Sequence, residues 1–329
     1  MKIGVILPAY ARWLRGDAIW AICEKAKEIG VDSLHFEDHV IFTPHQYVGY
    51  GNGYMDIWTS MSYVSAVTNV QGWAPILGQN VCVIPYRPPI QQAKCAATVD
   101  SLSGGRLMLG AGTGYNEQEF AALGLNLHER GDMTDEYLKC MIELWTHPVA
   151  SFHGKYVNFD EMTISVRPVQ QPHPPILVGA TGKRPFRRIA EYCQGWVPGA
   201  GGREGGSLET LADGWEEINR LCKEYGRQGK PYFAVGGVRH HLTTDRAQAG
   251  DAVTRGIGKE GERVYISTFP MTHVDDMVSR IRSVGNLGAD TYVVHLPSYR
   301  HGEFTNNQNM MTNQLEMLGE HVIPKVARG

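Results

Sequence analysis

The feature that most constrains the fold is a regular alternation of short apolar, β-branched runs with segments of helical periodicity. Continuous apolar runs, such as residues 3–7, are typical of strands that are covered on both faces of a sheet. Residues 17–30 show helical spacing, starting at Asp17 as a good N-cap residue and ending at Gly30 as a C′ glycine. Because this alternation runs from one end of the chain to the other, it predicts a parallel sheet flanked by helices.

The predicted strands cover residues 3–7, 33–37, 74–84, 106–111, 176–179, 195–198, 232–238 and 291–296. Helices are predicted between them, and no internal sequence repeat is present. We therefore predict an α/β fold, a closed (β/α)8 TIM barrel, forming a single domain over residues 1–329. Insertions are predicted at about residues 39–56, 149–168 and 256–271, the second rich in strand. The third is either a mobile loop over the site or an ordered connector. A doubly wound open sheet is the competing architecture.

Composition excludes several classes of partner. The net charge is −3, from 31 basic and 34 acidic residues with no basic stripe, so nothing supports nucleic-acid binding. No apolar run approaches the length of a membrane span. The six cysteines are scattered without a C-x-x-C pair, which favours a reducing, cytoplasmic location. A small-molecule substrate is the remaining expectation.

In such a barrel the active site forms where the strands end at their carboxyl side. One predicted strand ends in the run from Gly110 to Gly114, which fails the dinucleotide spacing G-x-G-x-x-G because Tyr115 stands where the last glycine belongs. These glycines serve either close backbone approach to a planar group or a tight strand-to-helix turn.

A second glycine-rich strand end, from Gly179 to Gly182, runs into a predicted helix. Unpaired N–H groups and the helix dipole favour an anion there, and Lys183, Arg184, Arg187 and Arg188 surround that end. Basic residues at a helix N-terminus interact unfavourably with the helix dipole. A bound anion would turn this into a favourable arrangement. The alternative is a solvated basic face of the helix.

Asp38 and His39 follow the second predicted strand directly. Histidine exchanges a proton near neutral pH, so the pair could bind and protonate a ligand, whereas the plainer interpretation is a histidine that satisfies a loop. His35, His39, His240 and His241 raise the alternative of a metal-dependent hydrolase. Neither an H-x-H motif at the first strand nor a clear bridging Lys or Asp accompanies them, so no metal is predicted.

Three stretches carry a resemblance to a known family: FEDHV at residues 36–40, the segment 77–120 with LGQNVCVIPYRPPIQQAKCAATVDSLSGGRLMLGAGTGYNEQEF, and PPILVGATGKRPFRRIAEYCQGW at residues 174–196. The chain resembles the bacterial luciferase-like monooxygenase superfamily, and within it the branch that uses the deazaflavin coenzyme F420. The resemblance covers nearly the whole chain and implies the same barrel, a homodimer and an oxidoreductase.

The resemblance also implies roles for individual residues. Asp38 would touch the deazaflavin ring, His39 would face both ring and substrate as the catalytic residue, and a non-prolyl cis peptide at Asn80–Val81 would form a bulge behind the ring. The remaining implied coenzyme contacts are Gly112, Gly114 and Tyr115 at one strand end, and Gly179, Ala180, Thr181, Gly182, Lys183 and Arg184 at the phosphate-binding turn.

The activity implied is hydride transfer between F420 and a small organic substrate, with His39 handling the accompanying proton. Sugar-phosphate dehydrogenases of this branch have a Trp soon after the D-H pair, which is absent here, and a Glu soon after the glycine run. Glu117 is a candidate replacement for that Glu, yet sugar-phosphate oxidation is not expected. Two alternatives stay open: a monooxygenase that uses reduced FMN from a separate reductase, and a non-catalytic flavin-binding protein. The aromatic residues expected around the pocket are Tyr10, Phe42, Tyr47, Tyr50, Tyr54 and Trp58.

Overall fold

The computed structural model describes residues 1–7, 15–44, 54–198, 207–250, 252–253, 269–296 and 307–326. Strands within these ranges are β1 (Lys2–Ile6), β2 (Ser33–Phe36), β3 (Ile76–Gln79), β4 (Cys82–Val83), β5 (Leu107–Gly112), β6 (Ala150–His153), β7 (Asn158–Met162), β8 (Ile176–Val178), β9 (Gly195–Trp196), β10 (Tyr232–Arg239), β11 (His241–Thr243), β12 (Ala252–Val253), β13 (Phe269–His273) and β14 (Thr291–His295). The α-helices are α1 (Gly16–Glu28), α2 (Ile57–Val70), α3 (Pro89–Ser103), α4 (Glu117–Ala122), α5 (Arg130–Thr146), α6 (Lys183–Glu191), α7 (Leu208–Glu224), α8 (Val274–Asn286), α9 (Asn307–His321) and α10 (Ile323–Val326).

The main sheet is a closed parallel barrel. Its strands follow the order β3-β2-β1-β14-β10-β9-β8-β5, and β3 also pairs with β5 through Leu77 opposite Leu107, which closes the ring. The short strand β4 continues the third barrel strand beyond an irregular segment and pairs with the upper part of β5. All eight predicted strands are the barrel strands, so the (β/α)8 prediction is confirmed and the open-sheet alternative is wrong.

The barrel interior is filled by side chains from alternate positions of its strands. Leu177, Val197 and Ala234 form one apolar cluster there, while their strand neighbours face the surrounding helices. Deeper in the barrel, the buried His35 ring lies against Gly4 and Gly78, and a Cβ atom on Gly78 would meet that ring at 2.5 Å. Position 78 therefore requires glycine, because the His35 ring leaves no space for a side chain there.

Helix ends follow local chemistry in most of the described elements. Asp56 caps α2 by accepting from the backbone N–H groups of Trp58 and Thr59, and Pro89 starts α3. The start of α1 differs from the prediction. Arg15 occupies the N-cap position without a side-chain cap, and Asp17 lies in the first turn, where its carboxylate binds Arg15 instead.

Two insertions can be compared with the sequence. The strand-rich segment 149–168 forms the antiparallel hairpin of β6 and β7, as predicted. A small sheet of order β11-β13-β12 lies beyond β10 and was not predicted. Its strand β13 takes up the end of the segment predicted as a loop at residues 256–271, and residues 256–268 lie outside the described part of the chain. Among the described helices, none is long and apolar enough to cross a membrane.

Candidate active site

A cavity of about 790 Å³ opens at the carboxyl ends of the barrel strands. Its volume lies in the range of small-molecule and cofactor sites. Ten of the predicted site residues line it: Asp38, His39, Asn80, Val81, Gly112, Gly114, Tyr115, Gly179, Ala180 and Thr181. Gly182, Lys183 and Arg184 are not part of its lining. The predicted residues are thus brought together from strand ends that are far apart in the sequence.

His39 is held by a buried carboxylate. Its Nδ1 lies 2.8 Å from Oε2 of Glu119, whose side chain is fully buried, and the histidine side chain itself is 10% exposed. An ionised carboxylate only accepts hydrogen bonds, so Nδ1 carries the proton of the neutral ring and Nε2 carries the lone pair. This fixes the tautomer and orientation of a histidine at the edge of the cavity.

Glu119 reaches this position from α4, which Asn116 caps by accepting from the Gln118 N–H. Burial alone raises the pKa of Glu119, but hydrogen bonds from His39, the Val40 N–H and the Tyr86 hydroxyl outweigh burial, so the pKa is lowered overall. Burial, and then the charge of Glu119, raise the pKa of Tyr86. Glu119 is therefore an anion that orients His39, and Tyr86 is a neutral hydrogen-bond donor.

Three aromatic rings surround His39, and of these Tyr115 lines the cavity. The ring centroids of Phe42, Tyr54 and Tyr115 lie 5.0, 5.1 and 6.1 Å from that of the histidine. Trp58, also expected near the pocket, is buried in the hydrophobic core instead. The expected contributions of Tyr10, Tyr47 and Tyr50 fall outside the described residues.

Asp38 lines the cavity but its carboxylate is engaged by the protein. Arg87 donates to both oxygens, at 2.8 and 2.9 Å, and the Val83 N–H donates at 2.9 Å. Arg87 also binds Asp56 at the N-terminus of α2. The side chain of Asp38 is fully buried, so this bidentate pair ties together the ends of two barrel strands and a helix.

The peptide bond between Asn80 and Val81 is cis, which confirms the expectation from the family resemblance. The Val81 side chain lies between two glycines: a Cβ on Gly112 would meet it at 2.2 Å, and one on Gly179 at 2.3 Å. The sequence left open whether the strand-end glycines admit a planar group or make a tight turn. In the structure, the Val81 side chain occupies the space that a side chain on Gly112 or Gly179 would need.

The same segment provides a test of whether a flavin or deazaflavin fits. The Oδ1 atom of Asn80 is buried and has no hydrogen-bond partner among the described residues, although the residue lines the cavity. A buried acceptor of this kind is costly unless a ligand or water satisfies it. Both coenzymes carry a ring N–H that can donate to such an acceptor. The residues present therefore fit a group of this type.

Three basic residues at the N-terminus of α6, where a phosphate was expected to bind, are paired with acidic side chains. Arg184 binds Asp132 and Asp135, Arg188 binds Asp135, and Arg187 pairs with Glu191. These side chains turn away from the cavity because acidic residues of α5 and α6 neutralise them. What does face the cavity is backbone and small side chains from Gly179 to Thr181, and Gly182 precedes α6 without a side-chain cap.

Among the described residues, no group of three or more His, Cys, Asp or Glu side chains is arranged to hold a metal ion. Of the histidines behind the hydrolase alternative, His39 binds Glu119 and two others have polar side-chain partners. The ring of His35 binds the Ser33 hydroxyl, and that of His240 binds Thr272 and Tyr292.

A match to the family model of luciferase-like monooxygenases covers residues 14–305. The chain belongs to this family. Its members are oxidoreductases or monooxygenases, and they include both F420-dependent and FMN-dependent enzymes. The homodimer and the cytoplasmic location stay predictions.

Three relatives show the breadth of the family. The chain is 38% identical to an uncharacterized protein of Mycobacterium tuberculosis over 44% of this chain and 49% of that protein. It is 31% identical to an FMNH2-dependent dimethylsulfone monooxygenase of Pseudomonas putida, over 45% and 40%. With an F420-dependent glucose-6-phosphate dehydrogenase of Nakamurella multipartita it shares 27% identity over 92% and 90%. The first two matches thus span about half or less of those relatives.

Solved structures of the luciferase-like family agree on the fold. A monooxygenase of Streptomyces bottropensis superimposes with a TM-score of 0.74 at 18% identity, over 99% of this chain and all of that one. The F420-dependent tetrahydromethanopterin reductase of Methanopyrus kandleri superimposes with a TM-score of 0.72 at 17% identity, over 99% of each chain. At these identities the likeness concerns the fold.

Proposed function

We propose that this luciferase-like protein is an F420-dependent oxidoreductase that transfers a hydride between the deazaflavin and a small organic substrate, with His39 as the catalytic residue. The observation that carries the proposal is the His39–Glu119 pair at the edge of a cavity large enough for coenzyme and substrate. Oxidation of an alcohol, or reduction of a carbonyl, moves a proton as well as a hydride. A histidine with its tautomer fixed by a buried anion is suited to that proton.

When bound, the coenzyme supplies or accepts the hydride. Asn80 and Val81 would support the ring beside the end of β5, and the backbone from Gly179 to Thr181 would hold the phosphate-bearing tail. Nε2 of His39 would accept the proton of an alcohol substrate, or donate it to a carbonyl oxygen in the reverse direction. Glu119 would hold the imidazole in place through its hydrogen bond with Nδ1.

The proposal is tested by titrating the purified protein with F420 and with FMN in parallel, followed by fluorescence. We expect F420 to bind in the low micromolar range, about −8 kcal/mol, and FMN to bind more weakly. His39→Ala should leave coenzyme affinity close to that of the wild type and lower turnover by about 10²-fold or more. Unchanged turnover in His39→Ala would remove the histidine from the mechanism.

A second candidate is a two-component monooxygenase that uses reduced FMN from a separate reductase. The observation that favours it is the 31% identity to the FMNH2-dependent enzyme of Pseudomonas putida. Tight binding of FMN, with F420 weak, would select this candidate and direct the search to a partner reductase. Binding of a flavin with no turnover in either system would select the non-catalytic alternative.

A further inference from the structure

The side chain of Trp196, on the sixth barrel strand, contacts the backbone turn that is proposed to hold the phosphate. Its indole Nε1–H donates a hydrogen bond of 3.0 Å to the carbonyl oxygen of Ala180. Ala180 lies between Gly179 and Thr181, and all three residues line the cavity. A buried indole N–H needs an acceptor, and the plainer interpretation of this contact is that it meets that need. The place of the acceptor, in the middle of a binding turn, indicates a second role.

The indole ring of Trp196 is held in one orientation by its packing. It is fully buried, stacks on Phe233 with ring centroids 5.1 Å apart, and meets Phe186 edge-on at 5.5 Å. A Cβ atom on Gly214 would lie 2.6 Å from Cη2 of the indole, so α7 also fits closely against the ring. Because Phe186 belongs to α6 and Gly214 to α7, the indole lies on the helix side of the barrel wall.

The hydrogen bond from the indole determines how the peptide unit between Ala180 and Thr181 is turned. This peptide bond is trans, so its C=O and N–H groups point in opposite directions. With the Ala180 oxygen directed at the indole, on the helix side, the N–H of Thr181 is directed away from the helices. Backbone N–H groups attract anions, whereas a carbonyl oxygen turned toward the cavity would repel them.

The two ends of the turn are fixed by other contacts. The N–H of Gly179 donates to the carbonyl oxygen of Ala111 on β5 at 2.8 Å, and the carbonyl oxygen of Gly182 accepts from the N–H of Phe186 at 3.1 Å, which opens α6. Gly182 provides no side-chain cap, and the N–H groups in the first turn of a helix have no partner within it. The contact with Trp196 thus holds the middle of a turn whose ends are anchored by β5 and α6.

We propose that Trp196 is a positioning residue for phosphate binding: by holding the Ala180 carbonyl on the helix side, it presents the N–H of Thr181 to the phosphate of the coenzyme. An N–H group that already points in this direction binds an anion without reorienting the backbone, which lowers the cost of binding. The inference rests on the proposed function for the place of the phosphate. It holds for either coenzyme, because F420 and FMN both carry a phosphate on the ribityl chain.

Two pairs of probes differ by the phosphate alone. One pair is FMN and riboflavin, and the other is the deazaflavin ribityl core of F420 with and without a 5′-phosphate. The ratio of the two dissociation constants within a pair, measured by fluorescence titration, is the phosphate preference. We expect Trp196→Phe, which lacks the indole N–H, to lower this preference about tenfold, roughly the effect of one charge-assisted hydrogen bond. The affinity for the phosphate-free probes should change much less.

Two further proteins separate the hydrogen bond from the packing of the ring. Benzothienylalanine, incorporated at position 196 with a suppressor tRNA, has sulfur in place of the indole N–H and keeps the shape of the ring. It should lower the phosphate preference as Trp196→Phe does. Trp215→Phe makes the same substitution in the same group of rings, since Trp215 also stacks on Phe233, at 4.6 Å. This control should keep the full phosphate preference.

A measurement on the wild type needs no variant to fold: the amide resonance of Thr181 should shift on binding the phosphate-bearing probe of a pair but not its phosphate-free partner. An unshifted resonance, or no phosphate preference in either pair, would overturn the proposal. So would a full preference in the benzothienylalanine protein, or an equal loss of preference in Trp215→Phe, which would assign the effect to packing. A phosphate preference in the FMN pair, with F420 bound weakly, would instead refute the proposed function and leave this inference standing.

Discussion

Oε2 of Glu119 lies 2.8 Å from Nδ1 of His39, although the two residues are 80 positions apart in the chain. The same carboxylate accepts hydrogen bonds from the Tyr86 hydroxyl and from the N–H of Val40, the residue after His39. A single buried anion therefore holds the histidine ring, the backbone that follows it and a neighbouring tyrosine. The proposed function of His39 as a proton carrier would therefore depend on Glu119, which is not among the described residues that line the cavity.

Replacing Glu119 with Gln should impair His39 without removing it. The amide can donate as well as accept, so the preference for a proton on Nδ1 is lost, and we expect turnover to fall by about 10- to 100-fold. Nitrogen-15 NMR of the imidazole should show a mixture of tautomers in place of one. Glu117→Gln is the matched control, since Glu117 is exposed on the same helix. Equal turnover and one tautomer in both variants would contradict the role assigned to Glu119.

Sequence reasoning located His39 but did not identify Glu119 as its partner. Glu117 was considered only as a replacement for the glutamate of the sugar-phosphate dehydrogenases. His39 directly follows a strongly apolar strand, so its place at the barrel mouth could be predicted from the strand alone. Glu117 and Glu119 lie two positions apart and so point in nearly opposite directions on a helix. Which of them faces β2 depends on the angle at which the short helix α4 meets the barrel, and the sequence does not encode that angle locally. The one available signal was the position of Glu119 beside the buried Phe120.

The charges near Gly182 and the small sheet illustrate the other limits. The basic residues of α6 were expected to face an anion, but their partners Asp132 and Asp135 lie about 50 residues earlier, on α5. Such pairings are tertiary and leave no periodic pattern. The strands β11 and β12 have three and two residues, which is too short for an alternation of apolar and polar positions to be recognised.

Gly112→Ala should disturb the bulge that lines the cavity. The new Cβ would lie 2.2 Å from Cγ2 of Val81, and overpacking of this kind typically costs about 1–3 kcal/mol of the free energy of unfolding. Coenzyme affinity, measured by fluorescence titration, should fall as Val81 is displaced.

The double variant Gly112→Ala/Val81→Ala should recover part of the stability, because the second change removes the clashing methyl groups. Gly285→Ala is the control. Gly285 lies within α8, and its new Cβ would make an ordinary contact of 3.5 Å with the Met1 side chain. A Gly112→Ala protein with unchanged stability and affinity would show that Val81 can move freely.

Arg87→Met should destabilise the fold by about 3–5 kcal/mol, because it leaves the buried carboxylate of Asp38 without its cation. Urea unfolding measures this change. Adding Asp38→Asn should recover much of the loss by removing the uncompensated charge, whereas Arg220→Met at an exposed site should cost less than about 1 kcal/mol. If Asp38→Asn adds its own full cost to that of Arg87→Met, the two residues are not coupled as described.

Acid should destabilise the protein well above the range in which carboxylates titrate. Burial lowers the pKa of His35 and of His240 to about 3, with the charge of Arg280 adding to the effect at His240. In the unfolded chain both titrate near the ordinary value of about 6.5, so between these values the unfolded state binds more protons than the folded one. Stability therefore falls as the pH drops below about 6.5, by up to about 1.4 kcal/mol per pH unit for each histidine.

The carboxylates affect the stability of the fold at lower pH values than the histidines do. Burial by itself raises the pKa values of Glu119 and Asp135, but their hydrogen-bond donors lower both overall. Their contribution is present above the unfolded pKa of about 4 and is lost as the pH falls through the folded value. Urea unfolding at a series of pH values from about 7.5 to 5 isolates the histidines. His240→Gln should make the slope of stability against pH shallower in that range, and an identical slope in wild type and variant would show that His240 is not held neutral by the fold.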